Sequence, residues 1–276
     1  MSQYEYFAAV YDRMMDNIPY EEWKQYILQL LFKYGINPCA SIAELGCGTG
    51  VMTRLLAGDG FAMTGIDLSE DMLDIARSYN IKYDIVKMNK AAAYNDKEVN
   101  VSGCRGTEVS EEEDAFSNII YLHQDMRELS LPKKQDAVIS ICDSMNYLLT
   151  DEDLYKTMHA VKNNLKSGGI FIFDLKTEYF YENELDDETF SEDMGEFSYL
   201  WRNRYSTVDH IHRYYLEFYV DGRVIREIHK QRAFSAMDIK NAALKAGFTS
   251  AAAYDAFTFN KPRKKSERIY IVMRNV

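Results

Sequence analysis

A chain of 276 residues with 47% hydrophobic content can bury one large core and fits one domain, or one domain with an elaboration. Its net charge of −11 argues against a nucleic-acid partner, since a general nucleic-acid binder presents a basic face. No apolar run reaches the ~18 residues of a membrane span and no charged-then-apolar leader opens the chain, so a cytoplasmic monomer or homodimer is expected.

Residues 1–35 read as helical, with Trp23, Ile27, Leu30, Leu31 and Tyr34 at helical spacing, a break at Pro19 and an end at Gly35. A strand at Ile42–Leu45 is followed by a glycine-rich turn and a helix from Val51 to Ala57. A second strand, Ala62–Asp67, leads to Ser69, a good N-cap for a helix whose apolar face holds Met72, Leu73, Ile75 and Ala76. The segment 89–118 is polar and acidic, and its composition predicts a mobile or disordered loop, to which no chemistry is assigned. Strands follow at Ile119–His123, Ala137–Cys142 and Ile170–Asp174, with a helix at about Asp151–Leu165 between the last two. Apolar strands alternating with helices predict an α/β protein with a mostly parallel, doubly wound sheet covered on both faces.

From Lys176 to Phe234 the pattern changes to alternating aromatic and polar residues, with Asp221-Gly222 as a hairpin turn. Three to four antiparallel strands are expected there. The helix Ala236–Ala246, capped by Gly247, and strands at Ser250–Phe257 and Arg268–Met273 then complete the core. The basic stretch Lys261–Lys265 reads as a solvated hairpin tip. Cys39, Cys47, Cys104 and Cys142 show no C-x-x-C pairing, so reduced interior positions and no metal site are expected.

The turn after the first strand carries the most information. Glu44 precedes Gly46, Gly48 and Gly50, and position 51 is Val, so the dinucleotide spacing G-x-G-x-x-G is absent. A glycine turn cradling pyrophosphate has little use for an acid two residues upstream. Glu44 would repel phosphate and attract an ammonium, while Asp67 at the end of the next strand can accept bonds from ribose hydroxyls. The ligand should carry an amine and a ribose, a description that S-adenosylmethionine fits.

The runs Glu44–Gly50 and Gly65–Leu73 resemble the first two motifs of class I S-adenosylmethionine-dependent methyltransferases. The resemblance continues through His123–Arg127, Asp136–Tyr147 and Leu165–Asp174, in the order of that family. It implies a seven-stranded Rossmann-like core over 1–175 and 233–276, with 176–232 as a small antiparallel β insertion. The insertion resembles the substrate cover of a group of bacterial small-molecule methyltransferases.

The resemblance further implies a cofactor site of Glu44, Gly46, Cys47, Gly48, Gly50, Asp67, Leu68, Met72, Gln124, Asp125, Met126, Cys142 and Asp143, with Tyr11 on a short N-terminal lid helix. The reaction would be methyl transfer to an O or N nucleophile of a small molecule, leaving S-adenosylhomocysteine. Asn146, Tyr147, Trp201 and Arg232 are the candidate substrate residues. His229 is the candidate base, sharing a strand face with Glu227 and Gln231; its alternative is a half-buried strand histidine. Asp143-Ser144-Met145-Asn146-Tyr147 departs from the Pro-Pro motif of amide and base N-methyltransferases, which disfavours DNA adenine or protein glutamine as acceptor. A nicotinamide oxidoreductase and a non-catalytic binding module are the rival readings.

Overall fold

Alternate residues of the central strands point to opposite faces, and each face is covered by its own helices. The computed structural model describes residues 5–15, 18–79 and 119–275; the segment 89–118 lies outside them. In chain order the helices are α1 (Glu5–Met14), α2 (Tyr20–Lys33), α3 (Val51–Gly58), α4 (70–79), α5 (Asp151–Asn164), α6 (Glu178–Phe180) and α7 (Ala236–Ala246). One π turn, Tyr181–Leu185, extends α6.

Seven strands form the main sheet: β1 (Ser41–Leu45), β2 (Ala62–Asp67), β3 (Ile120–His123), β4 (Gln135–Ser140), β5 (Leu165–Lys176), β10 (Ser250–Asp255) and β11 (Arg268–Arg274). Their order is β10-β11-β5-β4-β1-β2-β3, with β11 antiparallel to both neighbours. Ala43, Leu45, Val138, Phe171 and Phe173 pack on α5 and α7, while Ile42, Ile139, Ile170 and Ile172 pack on α2 and α3. The order reverses between β1 and β4, and the crevice at such a switch point is where open α/β sheets bind ligands.

The second sheet is antiparallel: β6 (Thr189–Asp193), β7 (Ser198–Ser206), β8 (Ile211–Val220) and β9 (Arg223–Arg232). The β8–β9 hairpin turns at Asp221-Gly222, both at positive φ (49° and 70°), as a two-residue hairpin turn requires. Leu216 and Phe218 on β8, with Phe197, meet Phe7, Val10 and Met14 of α1. The N-terminal helix therefore packs against the cover sheet. Cys47 and Cys142 are free thiols.

Candidate active site

A cavity of about 590 Å³ opens where β1, β2, β4 and β5 end, roofed by β7–β9 and closed on one side by α1. Its floor is the turn after β1. Gly46 sits at φ 66°, and a Cβ there would lie 2.6 Å from the Ser144 side chain, so only glycine lets the turns after β1 and β4 touch. Gly48, at φ 53°, has nothing within 4 Å of where its Cβ would stand: the backbone faces open space. Cys47 also lines the cavity. Gly50 does not line it and instead precedes α3 as its N-cap.

Two acids flank this turn. Asp67 accepts the Gly48 N–H at 2.8 Å and the Ser69 N–H at 2.9 Å, one on each carboxylate oxygen. Lone pairs remain on both oxygens, and they border the cavity. Glu44 is 3% exposed and accepts a hydrogen bond from the Thr53 hydroxyl. Burial, helped by the nearby Asp67 charge, pushes its carboxyl up to about 8. Among the described residues no cation forms an ion pair with Glu44, and Arg54 only partly offsets its burial, so the acid is suited to an incoming ammonium.

Leu68, Met72, Gln124, Asp125 and Met126 border one end of the cavity. The Gln124 amide is closed onto the Ser130 backbone at 3.0 and 3.1 Å, which shapes the loop after β3. Asp125 caps the following turn and pairs with the Arg127 guanidinium, which holds its carboxyl below the usual range.

The opposite wall is a buried charge network. Cys142 and Asp143 both lie at positive φ (59° and 55°), a conformation unfavourable for residues with a Cβ. Their surroundings hold them there. Asp143 accepts from Gln231 at 2.7 Å, Arg268 at 2.8 Å and Lys176 at 3.2 Å, and its N–H donates to Asp174. Arg268 also pairs with fully buried Asp174. Burial alone would raise Asp143, but Lys176 and Arg268 outweigh it and keep the carboxyl below its ordinary value. Tyr181 and Tyr214 both donate to Gln231 Oε1, which carries the network into the cover sheet. Burial raises the Cys142 thiol far above the usual range, so it is no nucleophile.

Tyr11 of α1 lines the cavity and hydrogen-bonds Tyr20. On the cover, Tyr147, Trp201, Tyr214, Leu216, His229 and Gln231 line the remaining space. His229 is 2% exposed, with Nε2 3.0 Å from Glu227 Oε2. Asn146 and Arg232, expected to touch substrate, do not line the cavity. The Asn146 amide is consumed by the backbones of Lys176 and Arg232, joining the ends of β5 and β9. Arg232 pairs with Asp151 at 2.8 Å and lies over Phe234, turned toward α5 and α7.

Lys176, Asp174, Arg268 and Glu227 were not among the expected site residues. The first three lie at strand ends 94 or fewer residues apart in sequence with no shared motif, and only the sheet order joins them. Glu227 and Gln231 carried a usable signal, because strand alternation puts them on the His229 face. Among the described residues no group of three or more His, Cys, Asp or Glu side chains is arranged to hold a metal.

The methyltransferase domain family matches residues 15–252. The chain belongs to that family. A relative in Geobacillus sp. (strain WCH70), provisionally named a methyltransferase, is 31% identical to this methyltransferase over 98% of the chain and 99% of its own length. A solved S-adenosylmethionine-dependent methyltransferase from Clostridium acetobutylicum is 26% identical, covers 98% of both chains and superposes with a TM-score of 0.73. The sugar N-methyltransferase KedS8 from Streptoalloteichus sp. shares the fold at 14% identity (TM-score 0.68), over 96% of this chain and 91% of its own. The methyltransferase uses S-adenosylmethionine, and the nicotinamide reading falls. The glycine turn, the lone pairs of Asp67 and buried Glu44 fit that cofactor's backbone, ribose and ammonium. Among the described residues no helix is long and apolar enough to cross a membrane.

Proposed function

We propose that the enzyme methylates a nitrogen or oxygen nucleophile on a small molecule held under the antiparallel cover formed by residues 176–232. The observation that carries this reading is that the cavity runs past the glycine turn into a pocket of Tyr147, Trp201, Tyr214, Leu216 and His229. Its volume falls within the range of small-molecule sites, and its aromatic walls suit a ring or a cation. The sugar N-methyltransferase of the same fold supports an amine acceptor.

Asp67 would receive the ribose, Glu44 the ammonium, and Gly46–Gly48 the close backbone approach. Leu68, Met72 and Gln124–Met126 would frame the base, with Cys142 and Asp143 toward the methionyl end. Tyr11 would close the site from α1. Bound cofactor supplies a methyl group already activated by sulfonium. The protein's own work is then to hold the acceptor in line, exclude water and take a proton. His229, buried among aromatic walls, takes that proton.

The test is a screen for transfer of labelled methyl from S-adenosylmethionine to amino sugars, other small amines and phenols, with tRNA beside them. Methylation of a small amine or phenol supports the reading. Methylation of tRNA with none of the small molecules overturns it.

A further inference from the structure

Two aromatic side chains at the acceptor end of the cavity have their polar atoms already engaged. Trp201 lines the cavity, and its indole N–H donates to Asn203 Oδ1 at 3.0 Å. An indole has no other polar atom. Tyr214 also lines it; the hydroxyl donates to Gln231 Oε1 and accepts from Lys176 Nζ at 3.4 Å. What Trp201 and Tyr214 offer an acceptor is therefore ring carbon and its electron cloud.

For Trp201 the cause is Asn203, two residues further along β7 on the same face and 0% exposed. Asn203 Oδ1 also accepts from His212 Nε2 at 3.1 Å, while its Nδ2 and its backbone N–H both donate to the Glu188 carbonyl at 3.0 Å. With partners on both sides the buried amide is locked in one orientation. The indole is held in turn by edge-to-face contacts with Tyr214 at 5.4 Å and Phe190 at 6.5 Å.

We propose that Asn203 is a positioning residue for acceptor choice: by holding the Trp201 N–H it keeps a hydrogen-bond donor out of the pocket, and the ring surface left there selects an amine over a phenol. This rests on the reading that the acceptor lies under the cover sheet. A neutral amine forms the new bond to the methyl carbon with its lone pair, the carbon–sulfur pair stays on sulfur, and the nitrogen gains a positive charge. A hydrogen on that nitrogen passes to a base afterwards. Aromatic rings stabilise the growing positive charge. A phenolate starts negative and ends neutral, and it would be helped by the donor that Asn203 withholds. The neighbouring network does not compete, because Lys176 and Arg268 are matched by Asp143 and Asp174.

The chain has two tryptophans, so Trp201→Phe identifies the Trp201 indole signal in a proton–nitrogen spectrum. In native protein saturated with S-adenosylhomocysteine, that N–H should exchange with water roughly 100-fold more slowly than a free indole. In Asn203→Leu its signal should move and its exchange become fast. Tetramethylammonium and tert-butanol, a charged and a neutral probe of similar size, then report the selection through broadening of their own methyl signals. The native protein should bind the charged probe about tenfold more tightly. Trp201→Phe should keep that preference, Trp201→Leu should lose most of it, and Asn203→Leu should narrow it. Fast exchange of the native Trp201 N–H, or equal binding of the two probes, overturns the proposal. The native protein and the Trp201 variants decide if Asn203→Leu does not fold. Failure of the underlying reading looks different: the slow exchange and the probe preference stand, while Trp201→Leu methylates an acceptor found in the screen at the full rate.

Discussion

Thr49 Oγ1 donates a 2.6 Å hydrogen bond to Asp12 Oδ1, fastening the turn after β1 to the helix that closes the cavity. The bond is shielded, with Thr49 only 2% exposed. Thr49→Val keeps the shape and removes the donor. A hydrogen bond to a charged group contributes roughly 1.5–3 kcal/mol. S-adenosylhomocysteine should leave the variant about tenfold faster in stopped-flow measurements, with a Tm change of only a few degrees. An unchanged off-rate would show that α1 does not retain the cofactor.

Asp67→Ala should cost both binding and stability. The carboxylate serves the Gly48 and Ser69 amides as well as the ribose it is proposed to receive. Calorimetry should show S-adenosylmethionine affinity lower by roughly 100-fold or more. Thermal unfolding should show a loss of about 1–3 kcal/mol for each amide left without a partner and away from water. Full affinity in a folded variant would remove Asp67 from the ribose site.

Glu44 should make both stability and binding depend on pH. Its carboxyl lies at about 8 in the folded chain and at the ordinary 4.5 when unfolded. The folded, ligand-free protein thus holds a proton that the unfolded chain has released, and stability falls as pH rises from 4.5 to about 8. Glu44→Gln should flatten that slope. An ammonium beside Glu44 favours the ionised form, so cofactor binding at pH 7 should release a proton. Calorimetry in two buffers of different ionisation heat measures the release, and Glu44→Gln should abolish it.

Arg268→Met should destabilise the fold by roughly 3–5 kcal/mol, because Asp143 and Asp174 lose the guanidinium between them. Chemical denaturation reads this directly. Replacing Asp174 with Asn in the same chain should recover part of the loss. No recovery would mean that Arg268 contributes through packing on Trp23, over which it lies at 4.8 Å, and little through charge.

The alternation of strands and helices, and the meeting of Glu44, the glycine turn and Asp67 at one cavity, were legible because they are local. A buried strand ending in Glu44, three glycines and a second strand ending in Asp67 fit within one β-α-β unit, where spacing in sequence becomes spacing in the fold. The acceptor half was less legible because its residues come from β4, β5, β8, β9 and β11 and meet only through tertiary packing. Asn146 shows the difficulty. A polar residue after β4 looks available for substrate, yet three backbone groups from two distant strand ends claim it. Arg232 fails for a related reason: at the last position of β9 its side chain faces α5 and α7, where Asp151 takes it. His229, Glu227 and Gln231 were readable because alternation along one strand survives folding.

The two sheets are joined at a buried seam of charges, with Asp143 of one layer bonded to Gln231 of the other. Hinging the cover away from the core would expose Lys176, Arg268 and Asp174 mid-rupture, a costly path. The α1 helix is held to its neighbours by a greasy face and a few polar latches, at Asp12 and at the Phe7 amide. Traffic should therefore use one door. Release of α1, rather than tilting of the cover sheet, is then the expected way for ligands to reach the cavity.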